Sequence, residues 1–119
     1  MAQPNIVDVV SIFGETKGAA LTTSLTSIVT CAANKVYKIN AIYVSNVDGT
    51  DNAEVDIAFY NNDNTTAYYI AKTVVVPADA SLDVLSKPIY LEESDAIQAK
   101  ASAASDLEIV VSYEIIADS

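Results

Sequence analysis

The sequence predicts an all-β protein, built as a single antiparallel β-sandwich or jelly roll of seven to eight strands. Apolar and polar side chains alternate with a period of two in several segments, as they do in strands with one buried face. Clusters of Gly, Pro, Asn, Asp and Ser separate these segments at short intervals. No stretch has a convincing helical pattern, and 119 residues suffice for one hydrophobic core but not for two.

The clearest pair of strands lies in residues 35–60, KVYKINAIYVSNVDGTDNAEVDIAFY. In residues 53–60 apolar side chains alternate with acidic or small ones, which predicts one buried face. Residues 37–44 have apolar side chains on both faces, so both faces are expected to be covered. Residues 48–52 between them are rich in Asp, Gly and Asn, and we interpret the pair as a hairpin closed by this turn.

Five further segments have the composition of strands: residues 20–31, 66–76, 81–91, 97–102 and 107–115. The last of these has the most regular alternation. Pro77 ends the second, because proline cannot donate a hydrogen bond to the strand ladder. Pro88 interrupts the third, which is therefore expected to bend or to run along a sheet edge.

The N-terminal segment allows two interpretations. Residues 3–13 are rich in β-branched side chains, which favours a strand, and Gly14 and Gly18 bracket what we interpret as a polar link. The segment is then either the first strand of the sheet or an arm that pairs with a neighbouring subunit. This predicts a division into residues 1–19, arm or first strand with its link, and residues 20–119, the β-sandwich domain.

The composition limits the classes of partner that this chain is expected to bind. Sixteen acidic residues, six lysines and no arginine give a net charge of −10, so we expect repulsion from nucleic acid. A hydrophobic content of 51% is high for a small domain and predicts burial against another subunit. The start of the chain lacks the features of a secretion signal, and no segment is long and apolar enough to span a bilayer. We therefore expect synthesis in a cytoplasm and no membrane partner.

The sequence predicts no catalytic, cofactor-binding or metal-binding residues. The absence of histidine excludes Ser-His-Asp and Cys-His arrangements within this chain, and Cys31, its only cysteine, is interpreted as a small buried thiol. One loop is considered as a calcium-binding site, because it supplies the hard oxygen donors that calcium prefers: Asp48, Asp51, Asn52 and Glu54. Its spacing does not match a helix-flanked calcium loop, and we interpret these side chains as solvated.

Tyrosine is favoured at interfaces because it contributes a large apolar area and keeps a polar tip. Four tyrosines fall where side chains are expected to point off the sheet, although they could instead pack in the core with the hydroxyl at its rim. Together with apolar residues of the N-terminal segment, they give the candidate assembly contacts Ile6, Val10, Phe13, Tyr37, Tyr60, Tyr68 and Tyr90.

Four stretches carry a resemblance to small virion proteins of tailed bacteriophages: KVYKINAIYVSNVDG, EVDIAFYNNDN, AYYIAKTVVVPADASLDVLSKPIYLEESDAIQAKAS and LEIVVSYEI. The resemblance covers roughly residues 25–116 and implies a β-sandwich with a role in virion assembly. Members are associated with capsid decoration, or cement, and with tail or neck structures. The resemblance brings no catalytic residues with it.

Two classes of function follow, with a third that has little support. The first is a decoration protein on the outer capsid surface that binds the major capsid protein and itself, with a trimer favoured. The second is a tail, neck or fibre-associated module that binds a host surface glycan or receptor. The third is an enzyme that uses carboxylates, although the carboxylates fall mainly in turns and on polar strand faces.

Overall fold

The computed structural model describes residues 11–117, which form nine β-strands and contain no helix. The all-β fold is thereby confirmed. The strands are β1 (Ser11–Ala20), β2 (Thr26–Thr30), β3 (Lys35–Asn46), β4 (Ala53–Asn61), β5 (Thr66–Val76), β6 (Ser81–Asp83), β7 (Ile89–Leu91), β8 (Ala96–Ala101) and β9 (Leu107–Ala117). Since the described residues include no helix at all, none of them forms one that could cross a membrane.

Two antiparallel sheets pack face to face as a sandwich. One has the order β1-β9-β3-β6, with β7 also paired to β3, and the other has the order β2-β8-β4-β5. β6 and β7 pair with different parts of β3, so they are two pieces of one strand that is broken around residues 84–88. Counted as one strand, they give two sheets of four strands each, in the arrangement of a jelly roll. The interruption expected at Pro88 is confirmed.

The core lies between the sheets and is lined by the inner faces of the central strands. Ile57 on β4 and Ile109 on β9 are fully buried, whereas their neighbours Glu54 and Glu108 are exposed. The inward and outward faces predicted for β9 are therefore confirmed. On β4 the prediction of a single buried face is wrong, because Asp56 and Ala58, on the face opposite to Ile57, are buried as well. β9 lies inside its sheet, since it pairs with β1 on one side and with β3 on the other.

The prediction that β3 and β4 form a hairpin is wrong, because these two strands belong to different sheets. The turn between them crosses from one sheet to the other. Asn46 explains the crossing: its buried side-chain amide donates to the main-chain oxygens of Asp51, at 3.0 Å, and Val76, at 2.8 Å. These bonds fasten the turn to the end of β5, and β4 instead forms its hairpin with β5.

β1 pairs with β9 over ten consecutive residues, from Ser11 opposite Ala117 to Ala20 opposite Glu108. The polar link expected between Gly14 and Gly18 is instead part of this strand, because glycine is tolerated at the edge of a sheet. Residues 3–10, with Ile6 and Val10, lie outside the described residues. The division of the chain at residue 19 stays a prediction.

Candidate assembly surfaces

A cluster of exposed apolar side chains lies between the edges of the two sheets. Tyr68, Tyr69 and Ile70 on β5 are 50%, 46% and 36% exposed, and Tyr90 on β7 is 50% exposed. With the half-buried Phe59 and Ile89 they line an open cleft of about 360 Å³, which we call the tyrosine cleft.

The topology explains why the cleft is open. Phe59 pairs with Tyr68 on one side and with the fully buried Ile97 on the other, so the chain places all three on the inner face of their sheet. The facing sheet ends at this side in β7, which has only three residues. The inner face of β5 therefore extends beyond the strand that would otherwise cover it.

Two contacts hold the aromatic rings in place. The Asn64 side-chain amide donates a hydrogen bond of 2.9 Å to the Tyr68 hydroxyl. The Lys72 ammonium lies 4.5 Å from the centroid of the Tyr69 ring, within the range of a cation–π contact. No carboxylate lines the tyrosine cleft among the described residues. The cleft suits a partner surface that is apolar and has a few polar groups for the phenol hydroxyls.

Of the predicted contact residues, Tyr68 and Tyr90 are brought together in this cleft. Tyr60 is half-buried and does not line it. The interpretation of Tyr37 as an outward-facing contact is wrong, because this residue is 8% exposed. Its ring stacks on the Tyr113 ring with 5.2 Å between centroids. Burial raises the pKa of the Tyr37 phenol.

A second surface is the free edge of β1. Residues 11–18 are all exposed, with Ile12 at 55% and Phe13 at 51%. Within residues 11–117, β1 pairs with β9 on one side and with no strand on the other. The Tyr113 hydroxyl donates a 2.6 Å hydrogen bond to Glu15, and burial together with this carboxylate raises the pKa of Tyr113. The phenol therefore stays protonated at neutral pH and anchors Glu15.

A third feature, a polar pocket around Asp56, was not predicted from the sequence. This buried carboxylate accepts hydrogen bonds from the Thr73 backbone N–H at 2.7 Å and from Lys72 at 3.3 Å, and Lys100 lies 3.9 Å away. Burial raises the pKa of Asp56, but these donors and charges outweigh it and hold the pKa below its usual value. The pocket, of about 300 Å³, is also lined by Glu54.

A β-bulge creates this arrangement. Val55 pairs with Val74 and Ile57 with Ala71, so Asp56 faces two residues, Lys72 and Thr73. Thr73 has a φ of 54°, in the left-handed region that a β-branched residue rarely adopts. Two carboxylates, Glu54 and Asp56, and two ammonium groups, Lys72 and Lys100, leave the pocket nearly neutral.

No metal centre forms in the part of the chain that the structure describes: no three of its Cys, Asp and Glu residues lie close enough together to hold an ion. In the loop considered for calcium, the Asp48 side chain accepts a hydrogen bond from the Thr50 N–H, and the Asn52 side chain accepts one from the Ala78 N–H. Both side-chain oxygens are therefore hydrogen-bonded to the main chain. Cys31 is buried, as expected, and burial raises the pKa of its thiol to about 11.

Comparison with known proteins identifies the fold. No known family matches the sequence, and no curated protein matches it. Among solved structures, one similar chain comes from the acid-stable capsid of Helicobacter pylori bacteriophage KHP30: it is 12% identical, with a TM-score of 0.56, over 93% of this chain and 91% of that one. Another comes from Bacillus endospore appendages, a family of disulfide-linked pili: it is 18% identical, with a TM-score of 0.54, over 90% and 88% of the two chains.

Proposed function

We propose that this chain is a non-enzymatic structural protein of a bacteriophage virion, which binds the outer surface of the capsid and stabilises the shell. The tyrosine cleft carries the proposal, because it combines four exposed apolar side chains on a protein of only 119 residues. The shared fold with a phage capsid chain, over nearly the whole length of both, supports a place in a virion.

The proposed partner in the cleft is the major capsid protein. Tyr68, Tyr69 and Tyr90 would lose their exposed area to it, and their hydroxyls would hydrogen-bond at the rim. The net charge of −10 keeps such a protein away from the packaged genome and on the outside of the shell. Self-association is part of the proposal, with a trimer as the state suited to local three-fold positions on a capsid.

Binding to undecorated shells tests the proposal. Tyr68→Ala combined with Tyr90→Ala should weaken binding by about 100-fold, since buried interface tyrosines commonly contribute 1 to 2 kcal/mol each. Tyr43→Ala is the matched control, because Tyr43 is 45% exposed on β3 and does not line the cleft. The thermal unfolding midpoint of both variants should change little. Equal loss of binding in the two variants would contradict the proposal.

Copy number in purified particles separates this role from the tail-associated alternative. A protein that covers the shell should be present in many copies for each particle, whereas a tail, neck or fibre component should be present in few. Quantitative mass spectrometry of intact particles, with the major capsid protein as internal standard, gives this ratio. A count of only a few copies for each particle would favour the tail-associated role instead.

A further inference from the structure

The free edge of β1 lacks three of the features that usually keep a sheet edge from pairing with another chain. Protected edges are often short, bulged or interrupted by proline, or they carry charged side chains, and β1 has only the last of these, in Glu15 and Lys17. β1 is ten residues long, contains no proline and pairs with β9 without any register shift. Pairings of β2 with β8, β3 with β9 and β4 with β5 all contain such shifts. β1 is thus regular and long enough to accept another strand.

The side chains of β1 are arranged almost symmetrically about Thr16, in the order Gly14-Glu15-Thr16-Lys17-Gly18. Glu15 and Lys17 lie on the inner face, since they pair with the buried Tyr113 and Val111. The outer face carries only Thr16 between the two glycines and is nearly flat. An antiparallel copy of this strand, centred on Thr16, would therefore meet a surface of opposite charge and matching shape.

The geometry points to antiparallel pairing of β1 with β1 of a second copy, about a two-fold axis that passes through Thr16. Glu15 then lies opposite the partner's Lys17, and Lys17 opposite the partner's Glu15. Gly14 lies opposite the partner's Gly18. The exposed Phe13 ring lies opposite the partner's Ala19, which is small enough to leave room for it.

Backbone geometry excludes half of the other registers. Along a regular antiparallel edge, alternate residues direct both N–H and C=O outward, and only outward residues can pair with one another. The two-fold axis must therefore pass through a residue and not between two residues. Centring it on Glu15 or on Lys17 would place like charges opposite each other.

Centring the axis on Gly14 or Gly18 would leave Glu15 and Lys17 opposite uncharged residues. Only the register at Thr16 gives two opposite-charge pairs. A two-fold axis perpendicular to the sheet keeps the inner faces of both copies on the same side. The β1-β9-β3-β6 sheets of two copies would then form one continuous sheet, with main-chain hydrogen bonds across the new pair.

Disulfide formation at the two-fold axis tests the register directly. Opposite residues of an antiparallel pair have Cα atoms about 4.5 to 5.5 Å apart, which suits a disulfide. Thr16→Cys should therefore give a covalent dimer with oxidised glutathione, seen on a denaturing non-reducing gel. In Ala20→Cys the two cysteines would be about 27 Å apart, eight positions along the strand, and should stay monomeric on the gel. Cys31 is buried and does not compete.

Charge exchange tests the same pairing by sedimentation of the full chain. Lys17→Glu and Glu15→Lys should each weaken the dimer about tenfold, because each creates two like-charge pairs. The double variant Glu15→Lys/Lys17→Glu should restore it. Lys87→Glu, in the exposed segment between β6 and β7, is the control and should change nothing. The Tyr113 hydroxyl bonds to Glu15 and not to Lys17, so the Lys17 variant separates dimerisation from the Glu15 hydrogen bond that helps to hold the fold.

This pairing does not depend on binding to a capsid. A two-fold contact at β1 can form a free dimer or link two larger oligomers, and the disulfide and charge variants report on it in both cases. Absence of a Thr16→Cys dimer, or equal crosslinking of Ala20→Cys, would overturn the inference. Loss of shell binding with an intact β1 dimer would contradict only the proposed function.

Discussion

β1 and β5 are both long edge strands, but they differ in what they offer to a partner. β5 is bulged at Lys72 and Thr73, and its first half carries the aromatic side chains of the tyrosine cleft. β1 is unbulged, has two glycines on its outer face and exposes its main chain. β5 therefore offers mainly side chains to a partner, whereas β1 offers main-chain hydrogen-bonding groups.

The bulge also explains why β5 is the poorer edge for strand addition. An extra residue interrupts the ladder and increases the local twist, so a flat second strand cannot follow the edge. Asp56 holds the bulge closed by accepting the Thr73 N–H and by pairing with Lys72 and Lys100. No bulge is present along β1, whose ten residues, Glu15 and Lys17 among them, pair with β9 without interruption.

The largest changes in stability are expected from substitutions in β4 and β9, the strands that pair with the two edge strands. Ile57 on β4 supports β5, and Ile109 on β9 supports β1; both are fully buried. Truncating either to alanine should lower the free energy of unfolding by about 2 to 5 kcal/mol, through lost burial and a residual cavity. Glu54→Ala and Glu108→Ala are the exposed controls and should change it by less than about 0.5 kcal/mol. Similar denaturant midpoints for all four would mean that the faces are assigned wrongly.

The next largest change in stability is expected at the two carboxylates near these edges, Asp56 beside β5 and Glu15 on β1. Asp56→Asn should cost about 1 to 3 kcal/mol, since it removes charge-assisted hydrogen bonds from a buried group. Glu15→Gln should cost less, because Glu15 is exposed and Tyr113 can donate to the amide oxygen instead. Equal destabilisation by the two substitutions would remove the distinction between the bulged and the open edge.

The cost of Asp56→Asn should depend on pH. The pKa of Asp56 is lower in the folded state than in the unfolded chain, so ionisation stabilises the fold above the unfolded pKa of about 3.9. This stabilisation is lost as the pH falls through the folded pKa. The gap between the parent and the variant in urea unfolding should therefore be constant at neutral pH and narrow at acidic pH. A gap that does not change with pH would show that the charge of Asp56 plays no part.

Sequence patterns predicted the strands better than their partners. All eight predicted strand segments that reach the described residues overlap strands of the structure, because the alternation of buried and exposed side chains is a local property. The choice of partner for β3 is not local. It depends on Asn46, whose amide donates to the main-chain oxygens of Asp51 in the turn and of Val76 at the end of β5. Nothing in the residues around Asn46 indicates those partners.

The candidate surfaces were predictable in part for the same reason. Tyr68 and Tyr90 could be chosen as exposed residues, but Tyr68 lies on the inner face of its sheet, and the convergence of the two side chains depends on the packing of two sheets. Tyr37 has the same local pattern, yet the chain places it against Tyr113 and away from solvent. The bulge at Asp56 could not be predicted, because a threonine with a positive φ leaves no mark in the sequence.

The smallest change in stability is expected when a threonine is replaced by glycine, and it should be opposite in sign on β5 and β1. Thr73 is held at a φ of 54°, which costs an L-residue with a branched side chain about 1 to 2 kcal/mol. Thr73→Gly removes this strain but costs about 0.5 to 1 kcal/mol through the greater entropy of the unfolded chain, so the net result should be a gain of up to about 1.5 kcal/mol in stability. Thr16→Gly, in the regular strand β1, has no strain to relieve and should lose about 0.5 to 1 kcal/mol. Chemical unfolding of the two variants side by side measures both changes, and a loss at Thr73 equal to that at Thr16 would mean that the bulge holds no strain.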